Sequence, residues 1–157
     1  MRRARTPGGR GVPAATVPRV SGVKRVVVNV DGGARGNPGP AAIAAVVSDP
    51  DSGDVLLERS ELIGEATNNV AEYRAVLLGV ELARELGAEE VEVIGDSAVI
   101  AHQVRGEWKV KEAHLRPLRE QAREALEGVG RWSIRNVPRA QNARADELLN
   151  EALDSGR

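Results

Sequence analysis

The stretch of residues 26–40 constrains the fold more than any other part of the chain. It begins with a short apolar run rich in β-branched side chains, which is typical of a buried strand, and this run ends on the carboxylate of Asp31. Glycines and prolines then stop regular structure, and a second apolar run follows at residues 41–47. We therefore expect two strands joined by a turn, with Asp31 fixed at the end of the first. An ordinary hairpin turn at Asp31 accounts for this stretch equally well.

The same stretch lacks both common phosphate-binding loops. The dinucleotide fingerprint G-x-G-x-x-G is absent, and Pro38 and Pro40 would interrupt the helix that must follow it. No Lys-Ser or Lys-Thr pair follows the glycines, so the P-loop is absent as well. A small-molecule enzyme built on a nucleotide-binding loop is therefore disfavoured.

Composition narrows the remaining classes of protein. The 157 residues suit one domain, and they include no cysteine and only two histidines, which disfavours disulfides, thiolate metal sites and histidine-rich zinc sites. No apolar run reaches membrane-spanning length, and the basic amino-terminal residues lack the apolar core of a signal peptide. We therefore expect a cytoplasmic protein that does not associate with membranes.

Charge divides the chain into two parts. Residues 1–25 carry seven Arg or Lys and no acid, whereas residues 26–157 carry fifteen basic and twenty-three acidic side chains. The basic end is rich in Gly, Pro and Ala, so it has little apolar surface to bury. We predict a disordered basic arm at residues 1–22 and one folded domain at residues 23–157. The arm either adds non-specific attraction to nucleic acid, or is only a solvated tail or the product of a misplaced start codon.

Apolar patterns along the domain alternate between strand-like and helix-like periods. Short turns join the first three strand patterns, so these strands should be antiparallel. The fourth follows a long helical pattern that Thr67 or Asn68 caps, so it should pair in parallel through a right-handed crossover. The predicted elements are strands at residues 24–31, 41–48 and 55–63, a helix at 70–87, a strand at 91–95, helices at 98–104 and 113–126, a strand at 131–137 and a helix at 141–153.

Glu72 stands on the packing face of the predicted helix at residues 70–87. Four other positions of that face are apolar or small. A carboxylate in line with such a face is costly to bury without a partner, so Glu72 is a candidate functional residue. A glutamate at the rim of the buried stripe, where the helix dipole favours an acid, is the alternative.

Two more acids stand where they can join Asp31. Asp96 follows the fourth predicted strand, and Asp146 lies in the first half of the last predicted helix. If the first and fourth strands are parallel neighbours, Asp31 and Asp96 reach the same edge of the sheet, although simple helix capping also explains Asp96. Clustered carboxylates stay ionised only beside a cation, and oxygen ligands favour Mg²⁺ or Mn²⁺. Two such ions can clamp an in-line phosphoryl displacement.

One aromatic residue lies within a basic segment at residues 105–111. Trp108 is surrounded there by three cations, Arg105, Lys109 and Lys111. Such a mixture suits contact with the sugar-phosphate backbone of a nucleic acid. A tryptophan that anchors the core is the alternative.

Four segments of the chain together resemble the signature blocks of type 1 ribonuclease H. They are residues 31–40, 67–73, 95–97 and 137–146, and they occur in the order and spacing of that family. The resemblance covers residues 24–153. It implies an α/β fold of the ribonuclease H-like class, with a five-stranded mixed sheet of order 3-2-1-4-5 flanked by helices.

The resemblance also implies an activity, namely endonucleolytic hydrolysis of the RNA strand of RNA/DNA hybrids. Two Mg²⁺ ions, for which Mn²⁺ can substitute, would take part, and the products would carry 5′-phosphate and 3′-hydroxyl ends. The first acid would bridge both ions, the second and third would hold the ion near the leaving oxygen, and the fourth the ion that activates water. The implied catalytic and metal-binding residues are Asp31, Glu72, Asp96 and Asp146. We expect a monomer with no obligate protein partner.

Further positions match residues that face the substrate in the family. The glycines would let the backbone approach the nucleic acid, and the asparagine amides can read the 2′-hydroxyl groups that distinguish RNA from DNA. The implied substrate-binding residues are Gly32, Gly33, Asn37, Asn68, Asn69 and Trp108.

The chain departs from the family pattern in three ways. Many members place a mobile histidine before the last acid, but here the loop at residues 139–142 has none. We expect Arg139 to stand in for it by helping phosphate leave, with Asn142 as a further auxiliary residue. The basic protrusion of some members is missing or reduced to the three cations around Trp108, and we expect no separate hybrid-binding domain. A binding module without catalysis, or a different nuclease of the same fold such as an exonuclease or a resolvase, remains an alternative.

Overall fold

A computed structural model describes residues 24–156 and shows a five-stranded sheet with helices packed against both faces. The predicted arm at residues 1–22 lies outside the described residues. Two short 3₁₀ turns, Ala113–Leu115 and Arg139–Asn142, precede the last two helices. The strands are β1 (Arg25–Ala34), β2 (Gly39–Ser48), β3 (Val55–Ala66), β4 (Glu90–Gly95) and β5 (Arg131–Asn136), and the helices are α1 (Asn68–Glu85), α2 (Ala98–Arg105), α3 (Arg116–Val129) and α4 (Ala143–Ser155).

The strand order is β3-β2-β1-β4-β5, which confirms the predicted topology. β1, β2 and β3 are joined by short turns and pair antiparallel. β4 follows α1 and pairs in parallel with β1, and β5 follows α3 and pairs in parallel with β4. The carboxyl ends of β1, β4 and β5 therefore face the same edge of the sheet.

The first strand is longer than its composition predicts, so the expectation that it ends at Asp31 is wrong. β1 continues to Ala34 because β2 keeps pairing with it, and Asp31 lies opposite Ala44 in that ladder. The parallel ladder to β4 stops earlier, at Asn29 and Ile94. Asp31 therefore lies beyond the end of β4, although β1 itself continues. The carboxylate of Asp31 has space around it because β4 has ended, and not because β1 has.

Two apolar layers cover the two faces of the sheet. The larger core lies between the sheet and α1, α2 and α3, and alternate residues of β1, including Val28 and Val30, belong to it. The smaller one joins β2 to α4 through Ala42, Ala44, Val46, Ala145, Leu148, Leu149 and Leu153. α1 and α4 therefore approach β1 from opposite faces.

Local sequence features explain where α1 begins, how closely it packs and where it ends. The Thr67 side chain accepts a hydrogen bond from the backbone of Val70, as expected of a capping residue. A Cβ atom on Gly79 would lie 2.6 Å from a methyl carbon of Val28, so only glycine lets the helix lie this close to the sheet. Gly87 follows the helix with a φ of 74°. None of the helices within residues 24–156 is long and apolar enough to span a membrane.

Candidate active site

The four acids singled out by the sequence line one open cleft, at the edge of the sheet where β4 ends. β1, α1, the residue after β4 and the first turn of α4 each supply one of them. The cleft is also lined by Gly32, Gly33, Asn68 and Arg139. The four acids are Asp31, Glu72, Asp96 and Asp146.

Gly32 determines how closely the start of α1 approaches β1. A Cβ atom on Gly32 would lie 2.3 Å from the carbonyl oxygen of Ala71 and 2.7 Å from the backbone nitrogen of Glu72. Only a residue without a side chain fits there, so the helix backbone rests directly on the strand beside Asp31. This close approach brings Glu72 to the cleft. Gly32 therefore shapes the site through packing, and its contact with a substrate stays a prediction.

Asp96 does not have the capping role that the sequence leaves open for it. Ser97 caps α2 instead, because its Oγ accepts a hydrogen bond from the backbone of Ile100 at 3.2 Å. Oδ2 of Asp96 is the only buried side-chain nitrogen or oxygen atom within residues 24–156 that has no hydrogen-bond partner. The Nε atom of Arg139 lies 3.5 Å from it. An unpartnered carboxylate oxygen in a polar cleft is a suitable place for a cation.

Burial and mutual repulsion raise the pKa values of two of the carboxyl groups. The pKa of Asp31 rises from 3.8 to about 8, first because the side chain is buried and then because Asp96, Asp146 and Glu72 stand near it. The pKa of Glu72 rises from 4.5 to about 7, mainly through burial, although a hydrogen bond from the Ser97 hydroxyl opposes the rise. The cluster therefore favours any cation that neutralises it.

The donor set of the cleft fits a hard divalent cation, because carboxylate oxygens are the ligands that Mg²⁺ and Mn²⁺ accept. Within residues 24–156, however, no three or more His, Cys, Asp or Glu side chains are arranged so that they could hold a metal ion as they stand. The four carboxylates share one cleft, and a hydrogen bond links the side chains of Asp31 and Asp146.

Asn142 does not line the cleft, but its side chain is hydrogen-bonded to β1 beside it. Its side chain is 1% exposed. Its Nδ2 donates to the carbonyl oxygen of Val30 at 2.8 Å, and its Oδ1 accepts from Nδ2 of Asn29 at 2.9 Å. Because both ends of this amide are occupied by β1, Asn142 is a positioning residue. Sequence reasoning missed Asn29, whose polar side chain within the run of valines was the available signal.

Comparison with known proteins identifies the family. The sequence matches a family model described as Reverse transcriptase-like over residues 29–152. It is 47% identical over 130 residues to ribonuclease HI of Halobacterium salinarum, and the match covers 83% of this chain and 65% of that protein. The crystal structure of RNase H1 from that archaeon matches with a TM-score of 0.81 at 46% identity, covering 83% of this chain and 98% of that one. The chain belongs to the ribonuclease H family.

Two further matches support the assignment to the ribonuclease H family. A crystal structure of LC11-RNase H1 in complex with an RNA/DNA hybrid has a TM-score of 0.79 and 42% identity, covering 83% of this chain and 98% of that one. A bifunctional protein of Mycobacterium tuberculosis is 47% identical over 131 residues, which are 83% of this chain. The chain spans 65% of the length of the Halobacterium salinarum protein and 36% of the mycobacterial one.

The loop before the last helix distinguishes this member of the ribonuclease H family. Neither histidine lines the acidic cleft, because His102 lies in α2 and His114 in the 3₁₀ turn before α3. Arg139 is the residue of that loop that lines the cleft, and its side chain is 78% exposed. The cleft thus has the guanidinium group of Arg139 at its mouth, beside Asp96.

Two asparagines fasten the β1–β2 turn to the start of α1. Oδ1 of Asn37 accepts from the backbone nitrogen of Asn68 at 3.0 Å, and Oδ1 of Asn68 accepts from the backbone nitrogen of Ala34 at 2.9 Å. Both side-chain oxygens therefore already accept hydrogen bonds from the backbone. Their Nδ2 groups have no acceptor within the described part of the chain and remain available as donors.

Trp108 and Asn69 lie outside the acidic cleft, in a neighbouring groove that Lys109 and Lys111 also line. Trp108 is 47% exposed, which excludes the alternative of a core-anchoring tryptophan. Its ring stacks on that of His102, with centroids 4.2 Å apart and an angle of 15° between the planes. The adjacent Arg105 is engaged with His102, Glu107 and Ile134, so two lysines remain of the predicted basic trio.

Proposed function

We propose that the chain is an endonuclease that hydrolyses the RNA strand of RNA/DNA hybrids. The observation that carries this proposal is the group of four carboxylates in one cleft, because a pure nucleic-acid binder gains nothing from clustered negative charge that faces phosphates. The solved complex of LC11-RNase H1 with a hybrid supports the choice of substrate. All four acids come from one chain, so we propose that the enzyme acts as a monomer with no obligate protein partner.

Asp31, Glu72, Asp96 and Asp146 would hold the metal, for which we propose two Mg²⁺ ions with Mn²⁺ as a substitute. When bound, such ions activate water and stabilise the leaving oxygen of a phosphodiester, leaving 5′-phosphate and 3′-hydroxyl ends. Members of the family generally depend on divalent metal ions. The unpartnered Oδ2 of Asp96 and the raised pKa values of Asp31 and Glu72 support this assignment, since each reflects negative charge that lacks a counter-ion.

The residues beside the acids would select and orient the substrate. The free Nδ2 groups of Asn37 and Asn68 can donate hydrogen bonds to 2′-hydroxyl groups, which only the RNA strand possesses. Gly33 lines the cleft without a side chain and lets the nucleic-acid backbone approach. Trp108 and Asn69 would contact the nucleic acid in the neighbouring groove, where stacking and two lysines favour a phosphate backbone with exposed bases.

Arg139 would take the place of the absent histidine. Its exposed guanidinium lies at the mouth of the cleft and can swing between Asp96 and a departing phosphate. A guanidinium donates two parallel hydrogen bonds to phosphate, so it suits the release of a 5′-phosphate product. Asn142 assists indirectly, by holding the loop from which Arg139 projects.

Cleavage assays with labelled RNA/DNA hybrid test the proposal directly. We expect the wild-type protein to cut the RNA strand internally with Mg²⁺ and not with EDTA, and to leave duplex DNA and duplex RNA intact. Asp96→Asn should abolish cleavage while hybrid binding is retained or improved, because repulsion between the cleft and phosphate falls. Asp51→Asn, which removes an exposed carboxylate in the β2–β3 turn, is the matched control and should cleave normally.

Each competing function gives its own result in these assays. Binding of hybrid without Mg²⁺-dependent cleavage would indicate a binding module. Release of single nucleotides from an end would indicate an exonuclease, and cutting of branched duplex DNA would indicate a resolvase. Full activity of Asp96→Asn would refute the metal assignment.

A further inference from the structure

Two pairs of side chains connect β1 to the region where α4 begins. Asn29 and Asp31 are two residues apart on β1, so their side chains lie on the same face, about 6.6 Å apart along the strand. Asn142 is the residue that precedes α4, and Asp146 follows it by four residues in the first turn of that helix, one helical turn of about 6 Å further along the axis. The two spacings nearly match, so the amide pair and the carboxylate pair form consecutive contacts between the same two elements.

A third contact continues the same alignment. A Cβ atom on Gly33 would meet Cδ2 of Leu149 at 3.4 Å. Gly33 is the next residue of β1 on the face that carries Asn29 and Asp31, so this face of the strand meets the next turn of α4. The direct hydrogen bond between Asn29 and Asn142 is therefore one point of a continuous register between strand and helix. Fixing any one of these contacts fixes the position of the others.

The amide pair supplies a constraint that the apolar contacts of α4 with the sheet do not. Asp31 and Asp146 are like charges that repel when both are ionised, and the residues of α4 that face the sheet are alanines and leucines. Apolar contacts of this kind tolerate sliding by a fraction of a turn, whereas the partly buried amide pair loses its hydrogen bond when it slides. A buried polar pair is a known means of specifying register.

We propose that the Asn29–Asn142 amide pair is a positioning device that sets the distance between Asp31 and Asp146. The proposal rests on the proposed function only in that the distance matters for metal binding and cleavage. Asn142 also donates a hydrogen bond to the carbonyl oxygen of Val30, so two hydrogen bonds attach the loop before α4 to β1. Replacing Asn29 removes the contact between the two amides and leaves the hydrogen bond from Asn142 to Val30 in place, which makes Asn29 the sharper test.

The test variant is Asn29→Leu, which keeps the size of the side chain and removes its donor. We expect kcat for hybrid cleavage to fall about tenfold, KM to stay within about twofold, and the affinity for Mn²⁺ alone, measured by calorimetry, to weaken about tenfold. Asn142→Ala should show a larger loss of both, and the double variant should be no worse than Asn142→Ala. Val91→Ala, which removes buried methyl groups near the opposite end of the sheet, controls for lost stability.

The outcomes separate the amide pair from the proposed function. If the wild-type protein cuts no hybrid, the proposed function fails, and the Mn²⁺ titrations still test the pair. Unchanged Mn²⁺ affinity in both Asn29→Leu and Asn142→Ala would overturn the inference, whether or not hybrid is cut. A loss of kcat in Val91→Ala equal to that in Asn29→Leu, at equal folded fraction, would also overturn it, because general destabilisation would then suffice.

Discussion

Nε of Arg139 lies 3.5 Å from Oδ2 of Asp96, the one buried side-chain oxygen within residues 24–156 that lacks a hydrogen-bond partner. The distance is that of an ion pair rather than of a hydrogen bond. Because the arginine is largely exposed and the aspartate is not, the pair can open by movement of Arg139 alone. Arg139 therefore presents an exposed guanidinium to the acids of the cleft, which Arg35 also lines.

Replacing Arg139 by alanine should lower the turnover number for hybrid cleavage. We expect kcat to fall about tenfold, because one charge-assisted hydrogen bond to the product phosphate is lost, while KM changes little. The kcat of Arg139→Lys should lie between that of the wild type and that of Arg139→Ala, since lysine keeps the charge without the paired donors. Steady-state and single-turnover rates locate the effect, and a role in product release requires that only the former falls. Unchanged turnover in Arg139→Ala would reject the role.

The stability of the metal-free protein should depend on pH through the buried carboxyl groups. The pKa of Asp31 is about 8 in the folded chain against 3.8 ordinarily, so the folded chain holds a proton that the unfolded chain releases. The contribution of Asp31 to stability is then fully present below its ordinary pKa of 3.8 and is lost as the pH rises towards about 8. Asp31→Asn removes this loss, so in EDTA near pH 8 its Tm should exceed that of the wild type by about 5 °C.

Calorimetry in EDTA at several pH values checks this expectation. The gain from Asp31→Asn should vanish well below about pH 4, where the carboxyl group is protonated in both the folded and the unfolded chain. Asp51→Asn serves as the control, because that carboxylate is exposed in a turn, and it should show no such pH-dependent gain. A gain from Asp31→Asn that is the same at all pH values would show that the charge is not its cause.

The sequence predicts the fold because apolar periods and turn lengths indicate the strands, the helices and the antiparallel pairing of the first three strands, while the resemblance to ribonuclease H implies the strand order. The parallel pairing of β1 with β4, which the sequence left as a condition, carries Asp31 and Asp96 to one edge. The pairing of β2 with β1 beyond Asp31 was missed, because glycine and proline composition alone does not show that an antiparallel partner continues.

The contacts that position the acids are not readable from local sequence. The role that we assign to Asn29 depends on its hydrogen bond to Asn142, which is 113 residues away in the chain. Gly32 follows an aspartate and reads as a turn residue, but its requirement for glycine comes from the backbone of α1. Such features depend on which elements meet, so they become visible only once the three-dimensional arrangement is known.

Adding a methyl group at two neighbouring glycines should separate packing from substrate contact. Gly32→Ala places a carbon within 2.3 Å of the Ala71 carbonyl, so α1 must shift, and we expect a loss of about 2–3 kcal/mol in stability and of most activity. A Cβ atom on Gly33 meets side-chain atoms at ordinary contact distances, Cδ2 of Leu149 at 3.4 Å and Oδ1 of Asn68 at 3.8 Å, so in Gly33→Ala the stability should change by less than about 0.5 kcal/mol.

The activity of Gly33→Ala then reports on substrate contact. A raised KM for hybrid in this stable variant supports the prediction that the nucleic acid approaches the strand there. Denaturant unfolding and steady-state kinetics on the same preparations give both quantities. Equal stability of the two alanine variants would contradict the packing role assigned to Gly32.

Removing the indole of Trp108 should weaken hybrid binding and leave the chemical step intact. The ring is 47% exposed beside Lys109 and Lys111 and is held in place by stacking on His102, so it is poised to contact a base or sugar. Stacking of one base is worth about 1–3 kcal/mol, so the Kd of Trp108→Ala for hybrid should rise about tenfold. Trp108→Phe should retain most of the affinity. Val55→Ala, another exposed apolar side chain, is the control, and an unchanged Kd in Trp108→Ala would remove this groove from the binding surface.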